Sequence, residues 1–231
     1  MISVGNILIF ISLVLVVILL GKYSSCGGGK ETLESEPTPK QQTYRFILQQ
    51  AKEVLDNLNV PFFLSSGTCL GYARERDFME HDYDIDIGID AKDYTPKIID
   101  EMGNRGLYLY RILGSLKTGM ELSFYLPFSP TARRAKIDIF IHKDGSHEQE
   151  EKTCWFTYSR SEKNTRKKLK YCVKKFGLKE IDFLGIKVNV PDPIKDYLEE
   201  HYGKDWRIPK TNGMLGDYKY DSSPLSLVAD F

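Results

Sequence analysis

The sequence predicts an α/β or α+β domain built on a central mixed sheet, carried behind an N-terminal transmembrane helix. Three observations lead there. First, "DIDIGI" from Asp84 and "KIDIFIH" from Lys136 to His142 alternate apolar and polar residues, the period of a half-buried strand. Second, Tyr44, Ile47, Leu48, Ala51, Leu55 and Leu58 recur at the helical period. Third, Ile2 to Leu20 is almost wholly apolar. As a helix that stretch spans roughly 28 Å, close to the hydrocarbon thickness of a bilayer.

Residues 1–20 therefore read as an uncleaved signal-anchor, single-pass in the membrane. A cleaved signal peptide, which would release the chain as a secreted protein, is the alternative. Residues 21–43 are rich in Gly, Ser, Thr, Pro and Glu and read as a flexible stem. Residues 44–231 form the globular domain. Anchor, stem and domain together make the layout of a tethered enzyme facing the lumen of the ER or Golgi.

Composition narrows the classes. The 231 residues carry 32 basic and 32 acidic side chains, so the net charge is zero. That balance argues against a general nucleic-acid binder, which shows a basic excess. Cys26, Cys69, Cys154 and Cys172 lack zinc spacing. In an oxidising lumen Cys154 and Cys172 could pair, and the sequence leaves the pairing open. No N-x-S/T sequon occurs.

Along the domain, the first helix runs from Tyr44 to Leu58 and Pro61 ends it. Phe62 to Leu64 reads as a short strand, followed by a Ser-Gly turn and a helix from about Thr68 to Arg76. "DIDIGI" is the next strand. Tyr94 to Met102 reads as a helix with Asp93 near its N-cap. Leu107 to Leu113 and Glu121 to Leu126 read as strands, and "KIDIFIH" is the clearest one. Phe183 to Val190, with Gly185 inside, reads as a hairpin or bulged strand. In "DPIKDYLEEHYG", Asp192 as N-cap, Pro193 at the first helical position and Gly203 past the end agree on a helix.

Strand phase sorts the aspartates of "HDYDIDIGID". Residues i and i+2 project from one face, so Asp84 and Asp86 point together, roughly 7 Å apart at their α-carbons. Ile85 and Ile87 then back them from the core. Asp138, between Ile137 and Ile139, is the lone acid of the later strand. If the two strands are neighbours, three carboxylates meet, a hard-oxygen set that suits Mg²⁺ or Mn²⁺. The plainer reading is a solvated edge whose charges block aggregation. Asp82 and Asp90 fall outside the central pair, as rim or turn residues.

Upstream, "LSSGTCLGYAR" places a strand, a tight turn and a helix start in succession. Gly67 lets the backbone approach a ligand, free N–H groups at the helix start can hold a phosphate, and Ser66 or Thr68 can add a hydroxyl. Ordinary turn chemistry explains such a turn when it stands alone.

The order of a Gly-Ser/Thr turn, a DxD pair and a third acid is that of the nucleotidyltransferase fold. "LSSGTCLGYARERDFMEHDYDIDIGI" resembles the signature region of the LicD/fukutin family of phosphotransferases. "KIDIFIH" resembles its third-acid strand, and "YLEEHYGKDWRIPK" resembles the fukutin branch more than bacterial members. The likeness runs from about Phe62 to Lys210. It implies metal-binding, catalytic acids at Asp84, Asp86 and Asp138, a phosphate turn at Gly67 and Thr68, and the arginine of the following helix at Arg74. It further implies a CDP-linked alcohol as donor, CDP-ribitol for instance, a glycan or glycoprotein hydroxyl as acceptor, and CMP as leaving group. Tyr83 interrupts the fuller acidic run of bacterial members.

The run "TRKKLKYCVKK" reads most simply as a solvated helix face. In the sharper reading Lys168 or Lys170 reaches the donor diphosphate and steadies the leaving group. Trp206 and Tyr202 either stack a base or sugar, or seal the last helix onto the core. His81 and His142, which border the acidic strands, are read as structural more readily than as general bases. Two rival functions stand beside phosphotransfer: a DxD glycosyltransferase of the GT-A type, and a non-catalytic glycan-binding module.

Overall fold

Thr38 starts the first helix. Its Oγ1 accepts from the Gln41 N–H at 3.3 Å while Gln41 Oε1 accepts from the Thr38 N–H at 2.6 Å, a reciprocal capping box with Pro39 just inside. Helix α1 thus spans Pro39–Asn57 and begins ahead of Tyr44, inside the expected stem. The computed structural model describes residues 36–117, 119–127, 135–144, 150–160, 166–209 and 227–230. The apolar segment 2–20 lies outside the described residues, and among those described no helix is long and apolar enough to cross a membrane.

The remaining elements are β1 Phe62–Leu64, α2 Ser66–Glu75, β2 Asp84–Asp90, α3 Lys97–Asn104, β3 Tyr108–Ser115, β4 Gly119–Leu126 and β5 Ala135–Asp144. There follow β6 Lys152–Arg160, β7 Arg166–Lys174, β8 Gly177–Phe183, β9 Ile186–Asp192, α4 Ile194–Tyr202 and β10 Leu227–Asp230. The strands join in the order β10-β7-β6-β5-β2-β1-β9-β8, with β4 also on β5 and β3 on β4. β2 and β5 are parallel, β1 and β9 are parallel, and the other pairs are antiparallel. The expected mixed sheet is the observed one.

The core sits between α1 and one face of this sheet. Ile85, Ile87, Ile89, Ile137, Ile139 and Ile141 are buried there, with Ile47, Leu48, Ala51 and Leu55 of α1 in the same cluster. Each of these isoleucine and leucine side chains contributes roughly 1.5–3 kcal/mol on leaving water. That burial fixes which face of β2 and β5 is left for the acids.

Other boundaries and assignments differ from expectation, and one open alternative is settled. α3 begins at Lys97, behind Pro96, rather than at Tyr94. α4 begins at Ile194, because Asp192 stays in β9 and pairs with Gly177. "TRKKLKYCVKK" is not a helix face: it forms β7, and Cys172 is bonded to Cys154 directly across the β6–β7 ladder. Leu184 and Gly185, at φ of +56° and +78°, make the two-residue turn of the β8–β9 hairpin, resolving the expected hairpin or bulge.

Candidate active site

Strand phase brings the three predicted acids to one face. Asp86 and Asp138 are register partners on β2 and β5, and Asp84 is opposite Lys136. The isoleucines between them point the other way, into the core.

Crowding and burial act on these carboxyls. Burial, then Asp84, Asp82 and Asp138, push Asp86 well above the usual carboxylate range. Burial and then Asp84 push Asp138 up to about 7, against the pull of Lys136. Asp138 is 5% exposed, and its Oδ1 has no hydrogen-bond partner among the described residues.

Two basic side chains answer part of this charge. Lys136 Nζ is 2.9 Å from Asp84 Oδ2 and 3.9 Å from Asp138 Oδ2. Arg111 reaches Asp138 Oδ2 at 4.0 Å and pairs with the buried Glu121 at 2.8 Å. Glu121 also accepts from Thr157 Oγ1 at 3.2 Å, and Arg111 Nε donates to Ser123 Oγ at 2.9 Å. Sequence reasoning did not select Lys136, Arg111, Glu121 or Ser123. A signal existed for three of them: Lys136 shares the phase of Asp138, and Glu121 and Ser123 share one face of β4. Arg111 offered none before β3 was paired with β4 opposite Ser123.

The Ser-Gly turn is built against these acids. The Gly67 N–H donates to Asp86 Oδ2 at 2.9 Å, the Asp86 N–H to Thr68 Oγ1 at 2.8 Å, and the Ser65 N–H to Asp86 O at 3.0 Å. The Ser66 N–H donates to Tyr197 OH of α4 at 3.1 Å. The N–H groups of Ser66 and Gly67 thus already have protein acceptors, and Thr68 is buried with its hydroxyl engaged. A Cβ on Gly67 would lie 2.9 Å from Asp82 Oδ2 and 3.1 Å from Asp86 Oδ2. A side chain at this position would push against two carboxylates.

Asp82 is accordingly not a rim residue. It stands beside Asp86 against Gly67, and burial and then Asp84 push it up to about 7. The signal was its phase: 82, 84 and 86 share one parity, which the intervening Tyr83 obscured. Asp90 does sit at the strand end, paired with Lys92 at 2.9 Å.

Arg74 lies in the last turn of α2, its side chain nearly buried, 3.2 Å from Met79 Sδ and 3.3 Å from Glu75. Its charge, with that of Lys40, opposes part of the rise at Asp82, so it bears on the acids. Lys168 and Lys170 lie on β7 opposite Tyr158 and Phe156, two strands from β5. No ion pair among the described residues joins Lys170 to the acids. His142 is buried on β5, four residues beyond Asp138, and stacks on Trp155 at 4.7 Å. Tyr202 and Trp206 belong to the core.

Among the described residues, no three His, Cys, Asp or Glu side chains close on one point as cation ligands in this arrangement, in which Asp84 is drawn to Lys136. The donor set itself fits a hard divalent cation: carboxylate oxygens on one face, one of them buried without a partner.

Residues 59–193 match the family model described as "LicD/FKTN/FKRP, nucleotidyltransferase domain". The chain belongs to this family. Among its relatives are the proteins named ribitol-5-phosphate transferase FKTN of Mus musculus, 38% identical over 179 residues, and of Homo sapiens, 36% identical over 163 residues. Those alignments cover 77% and 71% of this chain but 35% and 33% of the relatives. The chain thus spans about a third of their length. The family match takes in β1 to β9, and so every acid, the Ser-Gly turn and the Arg111–Glu121 pair; Tyr197, which braces the turn, lies beyond it.

Proposed function

We propose that this chain transfers a phospho-alcohol, such as ribitol phosphate, from a CDP-linked donor to a glycan hydroxyl and releases CMP. One observation carries the reading: Asp86 and Asp138 meet in register beside Asp84, with Asp138 Oδ1 buried and unpartnered among the described residues. Membership of the LicD/FKTN/FKRP family and the printed activity of the FKTN relatives supply the substrate class.

Asp84, Asp86 and Asp138 are the residues that would hold Mg²⁺ or Mn²⁺. Such an ion supplies positive charge that polarises the attacked phosphorus and makes the acceptor hydroxyl more acidic. In the reaction the acceptor oxygen bonds to the phosphorus next to the alcohol, and that phosphorus loses its bridge oxygen to CMP. Asp138, buried on the same face, is placed to take the departing hydroxyl proton. Lys136 and Arg111 bring positive charge to the same face, where they can balance the diphosphate as CMP leaves. Ser65, Gly67 and Thr68 position Asp86 through its side chain and backbone, and Ser66 ties the turn to Tyr197.

A membrane tether through residues 2–20 and a luminal catalytic domain complete the proposal. The Cys154–Cys172 disulfide supports an oxidising compartment.

The test incubates the full chain and Mn²⁺ with CDP-ribitol, CDP-glycerol and CDP-choline, each with a glycan acceptor, and measures CMP and phosphodiester product. One donor is expected to give both. Folded, metal-supplied protein that releases CMP from none overturns the proposal, and transfer of a sugar without its phosphate would point to a glycosyltransferase instead.

A further inference from the structure

A cleft of about 750 Å³ opens at the carboxyl ends of the parallel strands β2 and β5. It is not the acid site. Asp90 and His142, the register pair that lines it, lie four residues beyond Asp86 and Asp138 on the same face. That separation is roughly 13 Å. Crevices beyond the carboxyl ends of parallel strands are recurrent places for ligands.

The walls are of two kinds. Pro61, Phe63, Phe176 and Leu178 make an apolar side, with the two phenylalanine rings edge to face at 5.1 Å. The rim is polar and balanced, Lys92, Lys143 and Lys175 against Asp90, Asp93 and Asp144. Lys92 pairs with Asp90 at 2.9 Å and Lys175 with Asp144 at 3.0 Å. Equal numbers of cations and anions leave little net field to draw in a phosphate or a nucleotide.

His142 forms the floor. It is 3% exposed, and among the described residues neither ring nitrogen has a hydrogen-bond partner. Its ring is fixed between Trp155, stacked at 4.7 Å, and the edge of Phe63 at 4.9 Å. Gly88 lets the Phe63 ring pack beside it, since a Cβ there would lie 2.4 Å from Phe63 Cζ and 3.0 Å from His142 Nε2. Burial holds the imidazole pKa down to about 3, so near neutral pH the ring is uncharged. A neutral imidazole offers one donor and one acceptor, the pair of functions that hydroxyl groups satisfy.

We propose that this cleft is a second binding site, taking a neutral sugar ring against Phe63 and Phe176 with its hydroxyls on His142 and the aspartate rim. A convergent set of polar groups in an aromatic-walled cleft is the general form of a small-ligand site. The site is separate from the acids and stands whether or not the phosphotransfer reading holds.

The test is NMR on the full 231-residue chain, in a detergent without a sugar headgroup. N-acetylglucosamine, galactose, mannose and xylose are titrated, with inorganic phosphate and CMP as charged probes. At least one neutral sugar shifts the His142 ring nitrogens and the amides of Phe63, Ala91, Lys143 and Phe176, saturably. His142→Phe keeps the ring packing, removes both nitrogens and weakens binding about fivefold, the worth of one ordinary hydrogen bond. Leu178→Trp fills the cleft mouth and also weakens it, which decides the matter should His142→Phe fail to fold. Asp84→Asn leaves sugar binding unchanged, which separates this site from transfer activity. Three results overturn the proposal: no sugar moves these signals in folded protein, phosphate or CMP moves them while sugars do not, or a folded His142→Phe binds as the parent does.

Discussion

Asp86 and Asp138 face each other in parallel register across β2 and β5, and Gly67 N–H donates to Asp86 Oδ2 at 2.9 Å from the opposite flank. Segments some fifty residues apart thus converge on one carboxylate. That convergence makes the site costly without an added positive charge, and the predictions below draw on it.

Asp138→Asn should stabilise the metal-free protein more at pH 8 than at pH 5. The Asp138 pKa is raised to about 7, against about 3.9 in the unfolded chain. Its contribution is therefore fully present below about pH 4 and is lost as pH rises through 7. Asparagine does not titrate, so the gain from substitution grows by about 3 kcal/mol between the two pH values. His142 and His201, held down to about 3, act in the opposite direction below pH 6.5. They cancel when variant and parent are compared. Denaturant melts at both pH values read the difference, and an equal or smaller gain at pH 8 refutes it.

Gly67→Ala should separate activity from stability. The added methyl meets only the ends of two side chains, Asp82 and Asp86, which can yield. Folding stability should stay within about 1 kcal/mol of the parent, since alanine also favours the helix. Displaced carboxylates should lower CMP release more than tenfold, on the scale that about 1.4 kcal/mol sets. A fully active variant would show that the close approach of turn and acids is irrelevant.

Lys136→Met should tighten Mn²⁺ binding. Lys136 Nζ lies 2.9 Å from Asp84 and 3.9 Å from Asp138, holding charge on the face proposed for the ion. Removing one unit of like charge at such range is worth roughly tenfold or more in affinity. Electron paramagnetic resonance of free Mn²⁺ measures it. Weaker or unchanged binding would mean that the lysine and the ion do not share a site.

Tyr197→Phe should loosen the turn. Its hydroxyl accepts from the Ser66 N–H at 3.1 Å and lies 3.0 Å from Ser65 Oγ. Both partners would be left unsatisfied, one of them in the core, at a cost of about 1–3 kcal/mol. Thermal unfolding checks the loss, and hydrogen exchange at Ser66 and Gly67 should quicken. Parent-like stability and exchange would remove Tyr197 as a brace.

Cys172→Ser should cost about 3 kcal/mol, the loop-closure entropy of the 18-residue separation from Cys154. Melts with and without reductant test this. Reductant should lower the parent's stability to that of the variant, and parent stability unmoved by reductant would contradict it.

Much of this arrangement was legible in local pattern. The alternation around Asp84, Asp86 and Asp138 sorted acids from isoleucines, and the burial of Ile85, Ile87, Ile137 and Ile139 agrees with it. "TPKQ" held a capping box that periodicity alone passed over, so α1 was placed late. The lysine-rich β7 misled because charge spacing says little about period once Leu169, Tyr171 and Val173 find a partner strand in β6.

What the sequence determined by itself is phase: which side chains of a strand share a face, and which apolar residues back them. Phase follows from the two-residue repeat of one extended backbone and needs no second strand. What only the tertiary structure decided is register and company. That Asp138 meets Asp86, that Lys136 takes Asp84, and that Asp82 and Gly67 touch all depend on how separate segments pack. A shift of one residue in pairing would have turned the same acids into the core.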